Sequence, residues 1–170
     1  MSAVASSART AFPSWPDQNR RLRERVGAMT NGQLARKPAP DRWPLWASIG
    51  HLACQRVWGL CDIAGAPGAA ESPFPNAGWH CPGDDDLEHF WSRDQLLDAL
   101  DRTFAIVEWC LDNWTFESLA EVVAHPEWDD DLTRPRGVTL QRSYAHDIWH
   151  VAELNDALGS LGLEQIAFWD

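Results

Sequence analysis

Apolar residues recur every three or four positions in four separate stretches of the chain, and this spacing predicts four helices. In the first, from about Asp17 to Met29, the residues at helical spacing are Leu22, Val26 and Met29. Its lead-in, Ser14-Trp15-Pro16-Asp17, has the marks of a capped start, with a proline early and an acid three residues after the serine. The second stretch, from about Pro44 to Ala64, carries two adjacent stripes. One is Trp46, Ile49, Ala53, Val57, Leu60 and Ala64; the other is Ala47, Cys54, Trp58 and Cys61. A helix apolar over so much of its surface belongs at the centre of its fold. The third, from about Arg93 to Trp114, places Leu97, Leu100, Phe104, Val107, Leu111 and Trp114 along one seam behind a Ser92-x-x-Gln95 capping box. The fourth runs from about Leu140 to Leu161, with Thr139 as its N-cap and Gly162 as its stop.

Period-two alternation is weak throughout, so the expected fold is all-α, a four-helix bundle. The links refine it. About 28 residues, Gly65 to Ser92, separate the second and third helices, where an antiparallel hairpin needs only a few. A link that long can return along the bundle and start the third helix parallel to the second, which gives an up-down-down-up order. A second long link, roughly Thr115 to Val138, has room for a short helix or an irregular hairpin. Residues 1–170 form one domain in this reading, with residues 1–13 as a flexible tail.

Composition narrows the function. The chain has 170 residues, enough for one core, and 11 of them are tryptophan. With 25 acidic and 14 basic residues its formal charge is −11. Nucleic acid and anionic membrane surfaces are therefore poor partners, since both are gripped by excess Lys and Arg. No run approaches the roughly 20 apolar residues of a membrane span. The N-terminus, MSAVASSART, lacks the apolar core of a signal peptide. A cytoplasmic protein is expected, with a small-molecule substrate as partner and the tryptophan surplus leaving room for a homodimer. Cys54, Cys61, Cys81 and Cys110 form no C-x-x-C pair and read as reduced thiols, most simply small buried side chains.

Candidate chemistry concentrates in AHDIWHVAEL, residues 145–154. His146 and His150 are four apart on one helix face, about 6 Å along the axis, so both can reach one metal ion. Without a third ligand the same spacing also fits two half-exposed histidines. Residues 147 and 148 are Asp and Ile, so this is not the H-E-x-x-H of zinc proteases. His51, within SIGHLACQRVW, is either the third ligand or a hydrogen-bonded core histidine. If the second and fourth helices are antiparallel, its depth differs from that of the pair by one to two turns, which an offset between helices would absorb. His80, His89 and Asp84-Asp85-Asp86 form either a second cation site or a solvated acidic loop. His125 has no neighbour in sequence to work with.

The helix-two stretch DRWPLWASIGHLACQRVW, with one histidine behind a Trp-rich lead-in, and the helix-four stretch HDIWHVAELNDALGSLGL, with Leu-Gly about a dozen residues after His150, resemble the DinB-like superfamily, which includes the YfiT-like group of metal-dependent hydrolases. The resemblance covers most of the chain. It implies a divalent metal held by His51, His146 and His150. Two positions depart from the usual pattern: Trp149 precedes the last ligand where many relatives have a histidine, and Glu153 stands where a glutamine is usual.

Three neutral imidazoles leave a coordination position open, and they do not choose among zinc, nickel, iron or copper. A metal there lowers the pKa of water to near 7 or holds a thiol as thiolate. Relatives of this kind include thiol S-transferases and a thiol-dependent isomerase. The resemblance therefore implies a low-molecular-weight thiol cofactor and S-transfer to a small electrophile. Hydrolysis of a small substrate, and a non-catalytic metal-stabilised bundle acting as a binding or dimerisation module, are the alternatives. Glu153, one turn past His150, is either the catalytic acid–base group or a partner for a ligand imidazole. Asp147 is placed to orient a histidine on a neighbouring helix, and Trp46, Trp58 and Tyr144 wall a pocket or fill the core. A thiolate from Cys54 or Cys61 on the metal would close the site and make it structural.

Overall fold

The computed structural model of the chain describes residues 7–74, 81–123 and 133–167. Its helices are α1 (Trp15–Gly27), the short α2 (Asn31–Leu34), α3 (Leu45–Val57), α4 (Arg93–Asn113), the short α5 (Phe116–Ala120) and α6 (Arg136–Ser160). The four long ones match the four periodic stretches, and their buried side chains form one core.

Residue pairs across the interfaces fix the helix directions. Along α3 and α4, Gly50 faces Leu96, Arg56 faces Thr103, and their numbers rise together, so these helices are parallel. From Gly59, just past the end of α3, back to His51 within it, the chain meets Ser143 and then His146, so α6 runs against α3. Trp15 lies against Phe104 and Gly27 near Leu97, so α1 opposes α4. Trp15 bonds Asp147 and Arg25 pairs with Glu164, so α1 and α6 are parallel. The order is up-down-down-up, as the link lengths predict.

The ends of the helices follow their sequence signals where side chains are free to act. Ser92 and Gln95 cap α4 reciprocally: the Ser92 hydroxyl accepts from the Gln95 N–H at 3.4 Å and Gln95 Oε1 accepts from the Ser92 N–H at 2.9 Å. Gly162, at φ 65°, stops α6 in a Schellman turn closed by Leu163 N–H to Leu158 O at 2.9 Å. Three expectations are corrected. Thr139 is not the N-cap of α6 but a buried residue within it; the helix begins at Arg136 behind Pro135. Arg136 ties that start down, donating to Ala64 O and Ser118 O at 3.0 Å each. Ser14 does not cap α1, because its hydroxyl shares a 3.0 Å hydrogen bond with the Tyr144 hydroxyl. Residues 7–13 are not a loose tail: Ala8 is buried and donates to Trp114 O at 2.8 Å, and Arg9 bridges Glu108 and Asp112 at 2.6 Å each.

The second link contains both devices for which it has room, α5 and a minimal antiparallel pair, β1 (Val122–Val123) with β2 (Arg134–Pro135). The helical path of α3 continues into a π-helical turn, Trp58–Ile63. Such turns locally widen a helix and are common beside functional sites. No helix among the described residues is long and apolar enough to cross a membrane.

One polar knot touches all four long helices. Asp147 Oδ2 on α6 accepts from Arg56 Nε at 2.9 Å and pairs with Nη2 at 2.8 Å, both from α3. The same oxygen accepts from Trp15 Nε1 on α1 at 2.7 Å. The guanidinium lies 5.1 Å from the Phe104 ring centroid and 3.5 Å from Thr103 Oγ1, both on α4. Arg56 is 2 % exposed and Asp147 3 %, so neither can turn to water. Asp147→Ala strands a buried cation, and we expect it to lower the unfolding free energy by ~3–5 kcal/mol. Asp147→Asn, which keeps an acceptor for Trp15, should lose less. Urea denaturation followed by far-UV circular dichroism measures both.

Candidate functional site

The knot also sets the rotation of α3 against α6, and His51 and His146 lie beside it. His51 comes from the middle of α3 and is 5 % exposed; His146 and His150 come from successive turns of α6. The ring centroids of His51 lie 5.1 Å from His146 and 4.8 Å from His150, and those of His146 and His150 are 4.3 Å apart. One ring nitrogen from each lies within 4.8 Å of the others, a group that could hold a metal ion. The residue that ends α6 meets the segment after α2: Arg36 donates to Leu161 O at 3.0 Å.

Two observations test the fit of a metal here. The Nε2 atoms of His51 and His146 are 3.2 Å apart. Two nitrogens on one tetrahedral ion at ~2.05 Å would be about 3.3 Å apart. The outer nitrogens of two rings also have carboxylates beside them. His51 Nδ1 lies 3.3 Å from Asp84 Oδ2, and His150 Nδ1 lies 3.0 Å from Glu153 Oε2. A carboxylate on Nδ1 fixes the tautomer that leaves Nε2 free to ligate, the usual support of a metal-binding imidazole. The donor set fits a divalent transition metal.

Electrostatics agree for the α6 pair. Burial, reinforced by His150 and His51, pushes His146 down to about 3. Burial and His51 also lower His150, against the pull of Glu153. Both are therefore neutral, lone-pair-bearing imidazoles at physiological pH. At His51 burial opposes charge, but the Cys81 sulfur 3.6 Å from Nδ1 and Asp84 outweigh it and raise the pKa. His51, Cys81 and Asp84 form a second group able to hold an ion, sharing His51 with the first.

Other sequence expectations fare differently. Asp147 orients no histidine; it belongs to the Arg56 knot. The cysteine beside the site is neither Cys54 nor Cys61 but Cys81, held down at about 6 by Cys54 and, against burial, by His51. Cys54 is pushed well up by Cys81 and burial, and burial raises Cys61 and Cys110. His89 bonds Asp86 at 2.7 Å on the surface, away from the three histidines. His80 and His125 lie outside the described residues. Trp46 is core against Phe90, and Tyr144 packs with Phe12 and Trp15, so neither walls the site.

Two clefts converge on His150. One, about 400 Å³ between the π-helical turn and α6, is lined by His146, His150, Trp58, Arg134, Arg142 and Trp149 among others. The other, about 570 Å³, lies between the Pro38–Trp43 segment and the later turns of α6, with Arg42, Trp43, Glu153, Trp149 and His150 on its wall. Trp149, 66 % exposed, stands between them. Sequence reasoning missed Asp84 at His51, Trp43 with its ring 5.1 Å from that of His51, and Arg134 and Arg142 on the cleft wall. Only Asp84 carried a signal, as part of the acidic run.

The lowered pKa of His146 has a sign that can be tested. An ordinary histidine charges near 6.5, whereas His146 stays neutral down to about 3. Between those values the unfolded chain binds the extra proton. This contribution to stability is complete above 6.5 and is lost as pH falls towards 3. Metal-free His146→Gln should therefore lose less stability than metal-free wild type across that window, as measured by urea denaturation at a series of pH values.

From residue 17 to residue 158 the chain matches the model of the DinB superfamily. Among solved structures, a DinB-like protein from Bacillus cereus has the same fold, with a TM-score of 0.71 over 98 % of this chain and 100 % of that one, at 15 % identity. No curated protein matches. Since the family match runs from the first turn of α1 nearly to the end of α6, the chain belongs to the DinB superfamily.

Proposed function

We propose that the chain is a metal-dependent enzyme that transfers a low-molecular-weight thiol to a small electrophile, with the metal on His51, His146 and His150. The observation that carries this reading is the pair of clefts meeting at His150. Hydrolysis needs one organic substrate and water, whereas S-transfer needs two organic molecules brought to one point. A divalent ion supplies Lewis acidity, lowering the pKa of the thiol brought to it. The chain's own residues bind, separate and orient the reactants. Trp149 divides the two approaches. The mixed-charge cleft of Arg42 and Glu153 suits a polar thiol, and the cleft under Trp58 suits the electrophile. The thiol loses its proton to solvent, the sulfur forms a bond to the electrophilic carbon, and the leaving group departs with the bonding pair.

Glu153 acts in this reading as a positioning residue. Its carboxylate holds the His150 ring through Nδ1 and is half exposed. We expect Glu153→Ala to weaken metal affinity about 10–100-fold while leaving turnover per bound metal nearly unchanged at saturating thiol. An acid–base role instead predicts a loss of about 10²–10⁴ in turnover with the metal retained.

The first experiment is metal analysis of tag-free protein after growth with zinc, nickel and iron, beside His51→Ala and His146→Ala. We expect near-stoichiometric metal in the wild type and its loss in both variants, with helical circular dichroism preserved. The loaded protein should then consume cysteine or glutathione with a chromogenic aryl halide. Ester or amide turnover without thiol dependence would favour hydrolysis. A sharp fall in melting temperature on chelation, with no turnover of either kind, would favour a structural metal.

A further inference from the structure

Buried oxygens without partners gather at one place in the molecule. Among the described residues, five buried side-chain nitrogen or oxygen atoms lack a hydrogen-bond partner, and three of the five are Gln18 Oε1, Asn19 Oδ1 and Asp147 Oδ1. All three residues wall a third cleft, about 630 Å³ between α1 and α6. None of the three histidines is on that wall. Asn19 is 7 % exposed and Asp147 3 %, so neither side chain can turn to bulk water. Leaving a buried acceptor unpaired is costly. The other polar groups of the wall are already engaged. The Ser14 and Tyr144 hydroxyls bond each other, Asn155 accepts from the Ile166 N–H, and Gln165 donates to Asn155 O. Asp17 is paired with Arg20 and Arg21, and Arg56 with Asp147 Oδ2. What remains in the buried part of the wall is acceptor oxygen from both helices, and it calls for N–H donors. The one carboxylate of the described wall without an ion pair is Asp156, which is exposed and also borders the cleft of Arg42. Its charge draws a cation in; the buried oxygens fix it. Leu22, Ile148, Val151 and Ala152 supply apolar surface for an organic body.

We infer that this cleft binds a small organic monocation, an ammonium or amidinium with several N–H donors on an apolar body. Its head group donates to the free oxygens of Asp147, Asn19 and Gln18, and its body lies against Ile148, Val151 and Ala152. Hydrogen bonds from a charged donor to a carboxylate are the strong ones, which favours a cation over a neutral amide. The bound molecule is not a reactant of the histidine site, and the inference stands apart from the transferase reading. The two regions meet only at the knot, since Arg56 walls both this cleft and the one under Trp58. A ligand on the second oxygen of Asp147 holds the carboxylate that pins Arg56, and so should raise the melting temperature.

The test is a ligand-observed NMR titration of benzamidine, 2-phenylethylamine, benzamide and benzoate at neutral pH. Each is titrated into metal-free and zinc-loaded full-length protein and into Ala152→Phe and Asp156→Asn. Benzamidine and benzamide have nearly the same shape, so their difference reads the charged donor. At least one cation should bind saturably, about fivefold or more tighter than benzamide, with benzoate weaker still. Affinity should be the same with and without zinc, which separates it from ligation of the metal by the amine. Ala152→Phe places a ring in the cleft from an exposed position, so its melting curve should match wild type while cation affinity falls about tenfold or more. Asp156→Asn should weaken the cation about two- to fivefold and leave benzamide unchanged. Cations that merely gather on an acidic surface are indifferent to Ala152→Phe, so binding that survives this variant overturns the inference. Equal binding of cation and benzamide, or no binding of any probe, does the same. A dimer broken by Ala152→Phe, with no probe bound, assigns the cleft to a second copy of the chain and also overturns it. None of these results depends on metal content, so the metal reading stands or falls by its own experiment.

Discussion

The buried pairing of Arg56 with Asp147 is the constraint from which the site follows. Taking both ions out of water is costly, and such pairs rarely add net stability compared with well-packed apolar residues. What this one does is select an arrangement. Its partners come from α1, α3, α4 and α6 at once, so sliding or rotating any helix leaves a charge or an indole N–H unsatisfied. Asp147 follows His146 directly and Arg56 lies five residues after His51. A register that satisfies the ion pair therefore brings His51 against the α6 histidines. Polar specificity in the core and the geometry of the three histidines at its edge are set by the same few residues.

Much of the architecture was legible because it depends on period and length. Four apolar stripes gave four helices, and a link of about 28 residues gave the parallel middle pair. The histidine trio was legible for a different reason. Spacing alone left His51 ambiguous between core and ligand, and the resemblance to the DinB-like superfamily supplied the third position. The failures share a cause. Thr139 and Ser14 both look like caps, but each is claimed by tertiary structure: Thr139 is enclosed within a helix that starts earlier, and the Ser14 hydroxyl is taken by Tyr144. Asp147 lies next to His146, yet its direction is decided by Arg56 across the core. Local signals are reliable only where no distant side chain competes for the same group.

The site is built from material of two kinds. The histidines sit on the long helices, where main-chain hydrogen bonds hold them in place. The groups around them come largely from connections: Asp84 and Cys81 from the first long link, Trp43 from the turn before α3, and Arg134 from β2. Sequence periodicity reports on helices and is silent about where irregular backbone returns. The missed residues therefore belong mostly to connections, and those found sit on helices.

The placement of Asp84 separates two properties that usually change together. The carboxylate is half exposed and its known contact is the outer nitrogen of His51, while the Arg56 knot, which holds the helices in register, lies elsewhere. Substitutions of Asp84 itself can thus strengthen or loosen the hold on His51 with little effect on the core. Among descendants of such a bundle, the grip on His51 can drift, and even lapse, while the scaffold persists unchanged. That gives a physical reason why one helical frame could carry both occupied and vacant versions of the same three-histidine pattern.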